Sequence, residues 1–470
     1  MVIVMRIAAA CACVASIVYD QLMAQAGWAY KLLGLAIVTM AACGQVKATA
    51  IDANTTKPAD ASTTDTSGSD VPLAAVNGTV LDVVGEPLSG AQVRIGSDVV
   101  ITGGDGQFQF AAVPPTYDLD VVTPDATGGK VLTGYRALTS RTPEVGVAIS
   151  GGAQTTSVSG SVVGTTFPLP TGQHIALADT DEYFGFDQPT LPGAEDLTTS
   201  SFSGTGVWLV KPTFQGTIWA IQSTKPSNTT TAYNAYSRIS TSLTAGTPAS
   251  ITVAMTPLST ATLSGTVSSI PAAAGLATVN IVFKHAADPF GHFVGESVTT
   301  TGAFSIATPS GGSISVNVVT ESGTSSGGIS QSYEVWKANV PSNSTNVSLA
   351  IGTAPVFGSP ANSSTGVPSN ATFSWTPASP AGVHELDITC MSAKYSATIF
   401  TTGSSVQLPD TTALGATWPL TSSCTWTVTA FGTTAVDDVV AANGRNKMQE
   451  PNGPVDGARV QTTGFGFTTE

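Results

Sequence analysis

The densest chemistry in the chain is a run of carboxylates and aromatic rings. It reads Asp179-Thr180-Asp181-Glu182-Tyr183-Phe184-Gly185-Phe186-Asp187, with Glu195-Asp196 close behind. Carboxylates this close together suit a hard cation such as calcium, and Asp179, Asp181, Glu182 and Asp187 are the ligands such a site would use. The spacing is not that of a helix–loop–helix calcium site, and a solvated acidic loop accounts for the same residues more simply. Tyr183, Phe184 and Phe186 offer stacking faces to a sugar or a peptide; loop aromatics also serve to pin a loop to its own sheet. The four histidines, His174, His285, His292 and His384, show no H-x-x-x-H spacing, and no G-x-S-x-G turn accompanies them. No reaction is spelled out, so the expectation is a protein that is not an enzyme and needs no cofactor.

The elements that carry these residues follow from a phrase used three times. Asn77-Gly78-Thr79-Val80, Ser159-Gly160-Ser161-Val162 and Ser264-Gly265-Thr266-Val267 each precede a glycine with two alternating apolar residues. Those are Gly106-x-Phe108-x-Phe110, Gly206-x-Trp208-x-Val210 and Gly302-x-Phe304-x-Ile306. Each unit closes on a period-2 strand: Val145/Val147/Ile149, Ile251/Val253/Met255 and Val347/Leu349/Ile351. Repetition of this kind predicts three related β modules in series. The interval between the two glycines is longest in the second unit, which puts the acidic run on an inserted loop, where binding residues concentrate. In this frame Trp208 takes the slot of Phe108 and Phe304, and Trp219 that of Val121 and Val316. Both tryptophans are therefore expected in a core rather than on a carbohydrate platform.

The first unit is similar to the carboxypeptidase regulatory-like domain, a transthyretin-type β-sandwich. The likeness rests on Gly78-x-Val80-x-Asp82-x-x-Gly85-x-Pro87-Leu88-x-Gly90-Ala91-x-Val93, then Asp105-Gly106-x-Phe108-x-Phe110 and Tyr117-x-Leu119-x-Val121. That resemblance implies a supporting, spacing or binding domain without catalysis. The last part resembles a fibronectin type III or immunoglobulin-like sandwich, through Phe373-Ser374-Trp375, Leu386-x-Ile388-x-Cys390 and Cys424-x-Trp426-x-Val428. Alternation turns both cysteines inward, and in an exported chain Cys390 and Cys424 are expected to form a disulfide.

Export is read from the amino terminus. Lys31, a short apolar run from Leu32 to Thr39 and the small residues before Cys43 form a secretory signal, with the start at Met1 or Met23. Met40-Ala41-Ala42-Cys43 resembles the lipobox of bacterial lipoproteins, which implies lipidation of Cys43 and a membrane partner through that anchor. Gly44, next to it, implies the outer membrane or cell surface. Residues 44–71 hold almost no large apolar side chain, so they cannot bury a core and act as a flexible linker.

The charge balance, 17 Lys and Arg against 31 Asp and Glu for a net −14, excludes nucleic acid as a partner. The expected fold class is all-β: tandem β-sandwich domains in an elongated array after a signal peptide and a disordered linker. The divisions are 1–42 signal, 43–71 lipidated cysteine and linker, 72–152, 153–257 and 258–353 the related sandwiches, and 354–470 the fibronectin-like one. The expected function is a non-catalytic envelope lipoprotein that displays its domains for adhesion, scaffolding or protein binding, the alternative being polysaccharide recognition.

Overall fold

The computed structural model describes residues 72–470, apart from short internal segments of which 182–196 and 445–454 are the longest. The fold is all-β, in several sheets that form multiple sandwich domains around four hydrophobic cores.

The repeated phrase has a steric cause. Three times the chain builds the same three-stranded sheet, with one neighbour of the central strand antiparallel and the other parallel. The first has Ala74–Leu81 between Gln107–Val113 and Glu144–Gly146. The second has Ala153–Val163 between Ser201–Leu209 and Ala249–Ala254. The third has Thr260–Ser268 between Ala303–Pro309 and Val347–Ala350.

In each, the central glycine lies directly opposite a phenylalanine of the antiparallel strand: Gly78 opposite Phe108, Gly160 opposite Phe202, Gly265 opposite Phe304. A Cβ on these glycines would stand 2.3, 2.4 and 2.7 Å from the ring. It would also meet a backbone carbonyl oxygen on the parallel side, at 2.7 Å for Pro143, just before that strand, and at 2.1 Å for Ile251 and 2.0 Å for Val347 within it. The glycine is a notch into which a ring and a backbone both close.

This pairing corrects the frame read from the sequence. Val80 and Val267 donate to the carbonyls of Gly106 and Gly302, and the equivalent Val162 donates to Ser200. Ser200 therefore stands where Gly206 was expected, and Phe202, not Trp208, fills the slot of Phe108 and Phe304. Trp208 pairs across to Gln154 and is buried elsewhere in the second core.

The opposing sheets do not stay separate. One 13-stranded sheet runs His292–Thr299, Ala277–Lys284, Ser313–Ser322, Gln331–Pro341, Gly457–Thr469, Ser423–Gly432, Gly382–Cys390, Tyr395–Thr401, Lys130–Leu138, Tyr117–Pro124, Gln92–Ile95, Asp98–Ile101, with Ser364–Val367 beside Gly457–Thr469. It passes from the third sandwich through the fourth to the first, so neighbours in space are not neighbours in sequence. Two edge-to-edge joints make it continuous. Tyr395–Thr401 pairs in parallel with Lys130–Leu138, and Gly457–Thr469 pairs antiparallel with Gln331–Pro341.

Because cross-strand partners share a face, the sheet serves two cores from opposite sides. Leu119, Val121 and Tyr135 face the first core, while Val122 and Leu132 on the same strands belong to the fourth. In return Val383, Phe400 and Phe431 of the fourth sandwich pack into the first core, Phe400 stacked on Tyr135 with centroids 5.2 Å apart.

The second sandwich keeps its own four-stranded sheet, of Gln173–Asp181, Thr213–Thr224, Ala232–Thr244 and Thr256–Pro257. It meets the third by packing. Ile218 and Ala220 face its own core, and Trp219, Ile221 and Tyr233 join the third. Trp219 meets Phe283 edge-on at 6.1 Å. Trp219 is thus buried as expected but not in the slot of Val121 and Val316; it is the plug between two sandwiches.

The fourth sandwich closes with the sheet Val356–Ser359, Thr372–Thr376, Ser405–Gln407. Trp375 is buried in this core, and Cys390 and Cys424 form the expected disulfide across two adjacent antiparallel strands, with Cα atoms 4.2 Å apart. Closing a loop of 34 residues contributes about 4 kcal/mol on the chain-entropy account.

The notch makes a sharp demand on side-chain size. Gly265→Ala should lower stability by at least about 1–3 kcal/mol in a denaturant titration. Adding Phe304→Ala should fail to restore it, because the Val347 carbonyl still blocks the Cβ.

Candidate functional site

The acidic loop contributes little that is described. Asp179 and Asp181 lie on the Gln173–Asp181 strand, their backbones paired with Ile218 and Gly216. Glu182, Tyr183, Phe184, Phe186 and Asp187 lie outside the described residues, as does Cys43. Among the described residues no three metal-ligating side chains gather. Trp208 and Trp219 are 2% and 0% exposed and sit in different cores, and the Trp208 indole donates to the Lys211 carbonyl at 2.7 Å. Neither can stack on a sugar as placed.

The histidines do not assemble. His285 lies outside the described residues; His174, His292 and His384 stand on strands of three different sandwiches. His384 is buried against Trp375, ring centroids 5.5 Å apart, and its Nε2 accepts the Ala378 N–H at 3.4 Å. Burial lowers its pKa to about 4. Ala378 leads into Ser379, which exchanges two backbone hydrogen bonds with Thr353, between the third and fourth sandwiches. The neutral imidazole is thus a structural acceptor.

The polar chemistry that does converge lies at the joints, and the sequence reading had not singled it out. At the joint between the first and fourth sandwiches, Asp120 accepts from Arg94 at 2.7 Å and from Arg136 at 2.9 Å. The other end of the Arg94 guanidinium donates to the Asp410 carbonyl of the fourth sandwich. On the far side of the joint, the Asp437 carboxylate accepts the N–H groups of Thr139 and Ser140, at 2.9 and 3.0 Å, and the Thr139 hydroxyl. Burial works against its charge, but these hydrogen bonds outweigh it and hold the pKa below the ordinary carboxylate value.

At the joint between the third and fourth sandwiches, Glu334 accepts from Arg459 at 2.6 Å and from the Asn317 amide at 2.7 Å. A signal for these groups was present. Asp120 interrupts Leu119–Val122, and Glu334 sits between Tyr333 and Val335, where an isolated strand facing solvent would not bury it. What the arrangement does chemically is clamp: these carboxylates are neutralised in place by guanidiniums, an amide or backbone donors.

No family model matches the chain, and no curated protein matches it. Among solved structures it is similar to the Bacillus anthracis TIE protein, at 12% identity over 59% of this chain and 50% of that one, with a TM-score of 0.14. The chain therefore spans about half the length of that protein. BcpA, the major pilin subunit of Bacillus cereus, is similar at 11% identity over 59% and 99%, with a TM-score of 0.14. The Streptococcal ancillary pilin is similar at 11% identity over 59% and 98%, with a TM-score of 0.15. Scores this low carry no functional argument, and the reading below stands on this chain's own residues.

Asp120→Ala would leave two guanidiniums facing each other in a largely buried place. A loss of about 3–5 kcal/mol is expected by chemical denaturation. His384 gives a pH signature. Its folded pKa lies below its unfolded one, so its contribution is whole above about 6.5 and declines as pH falls toward 4. Unfolding midpoints measured at intervals of pH between 7 and 5 should fall more steeply for the native chain than for His384→Phe.

Proposed function

We propose that the chain is a non-catalytic, extracytoplasmic scaffold of the cell envelope, held by lipid on Cys43 at the outer membrane or cell surface. On this reading residues 44–71 are a tether, and the sandwiches of 72–152, 153–257, 258–353 and 354–470 present their loops to a protein partner. The observation that carries it is the continuous sheet. Two edge-to-edge joints and shared cores tie the domains together, as a body that spaces and displays surfaces requires. The disulfide adds the compartment, because such bonds persist in oxidising surroundings.

Polysaccharide recognition is the second reading, and the acidic, aromatic loop of 179–187 is the feature that favours it. The burial of Trp208 and Trp219 removes the platform that would have supported it most.

Fractionation of cells grown with labelled palmitate tests the anchor. The native chain should carry label and sediment with membranes, and Cys43→Ala should lose the label and appear in the soluble fraction. An unlabelled native chain would end the lipoprotein reading. A glycan array run with and without calcium separates the two functions: the scaffold reading expects no retention, and retention of one defined polysaccharide would move the assignment to the second.

A further inference from the structure

The long sheet must end somewhere, and one of its ends is an open strand among the described residues. Its last strand, Asp98–Ile101, pairs with Gln92–Ile95 on one side, and among the described residues nothing pairs on the other. The neighbouring bonds fix which groups are free. Thr102 donates inward to the Ala91 carbonyl and accepts inward from Gly90. Alternation along an antiparallel ladder then turns the N–H and C=O of Val100 inward and those of Val99 and Ile101 outward.

Val99 and Ile101 are also the exposed apolar side chains of the strand, at 40% and 66%, and both project from the same face. Of the devices that keep an open edge from associating, this strand has shortness and one charge, Asp98, but no Lys, Pro or bulge, and its outward-bonding positions Val99 and Ile101 are both apolar.

We propose that this edge is a self-association surface whose occupant is the same strand of a second copy, antiparallel about a two-fold axis through Val100. In that register each Val99 stands opposite the partner's Ile101. The outward N–H and C=O groups of both residues are satisfied at the positions where apolar side chains meet apolar side chains. Asp98, the single charge in the strand, falls opposite the partner's Thr102, so no like charges are opposed.

Continuity with the existing joints supports a second copy as the occupant. The same sheet has already been extended twice within the chain by edge pairing, at Tyr395–Thr401 and at Gln331–Pro341. A two-fold contact closes after two copies, which is the commonest form of homo-oligomer. Four residues per copy make a small contact of the weak, transient class. The net charge of −14 opposes it until salt screens the repulsion.

Sedimentation velocity on the full chain tests this. The weight-average mass should rise from monomer toward dimer between about 1 μM and 1 mM, a range suited to a contact of that class, and rise further in about 0.5 M salt. Ile101→Pro removes an outward N–H without touching the bond to Gln92–Ile95, and Val99→Lys places a charge in the contact. Each should weaken association at least tenfold while keeping the native unfolding midpoint.

A native chain that stays monomeric throughout would overturn the proposal, as would an Ile101→Pro variant that dimerises like the native chain or growth beyond the dimer. Hydrogen exchange on dilute protein closes the last route: slow Val99 and Ile101 amides in a monomer would mean that the chain itself covers the edge.

Discussion

Everything in this fold depends on strands that are buried on both faces. A sandwich that stands alone needs one apolar face per strand, and alternation is the result. Here the strands Tyr117–Pro124 and Lys130–Leu138 line the first core with Leu119, Val121 and Tyr135, and the fourth with Val122 and Leu132. Thr213–Thr224 does the same for the second and third cores through Ile218 and Trp219. Each such strand belongs to two domains at once. Separating the domains would expose a full apolar face as well as a row of unpaired backbone groups, and hydrocarbon surface alone costs about 25 cal/mol per Å² to expose.

That constraint explains what could be read from the residues and what could not. The three glycine phrases and their closing strands were legible because the cause is local: Gly78, Gly160 and Gly265 each meet a ring one strand away. The disulfide was legible because Cys390 and Cys424 fall on the inward positions of period-2 strands. The slip at Gly206 came from the second unit's longer interval. The glycine-plus-aromatic phrase Gly206-x-Trp208 competes there with Ser200-x-Phe202, which has serine in the glycine's place, and only the hydrogen bond from Val162 to Ser200 decides between them.

The joints were illegible for a different reason. A strand with both faces covered reads as an apolar run, and nothing within the run tells which residue serves which core. The pairing of Tyr395–Thr401 with Lys130–Leu138 joins segments more than two hundred residues apart, and period-2 patterns carry no address of that kind. Trp219 shows the consequence. Its burial followed from its type and its strand, while its destination in another domain's core did not.

Edge joints also raise a problem of register, and the buried charges bear on it. A slip of one residue would turn Leu132 and Val122 away from the fourth core and is forbidden by burial alone. A slip of two keeps every apolar side chain on its proper face and is opposed far less by hydrophobic burial. It is opposed by charge. Moving Gly457–Thr469 two residues along Gln331–Pro341 takes Arg459 from its place opposite Glu334, leaving a buried carboxylate with only the Asn317 amide. Across the other joint, Arg94 would lose the Asp410 carbonyl and Asp437 its three donors from Thr139 and Ser140. Stranding the buried Glu334 carboxylate costs several kcal/mol, more than a neutral hydrogen bond contributes, while the half-buried Asp437 loses three hydrogen bonds. The apolar faces therefore choose which side of each strand meets which core, and the carboxylates choose where along its length the joint is made.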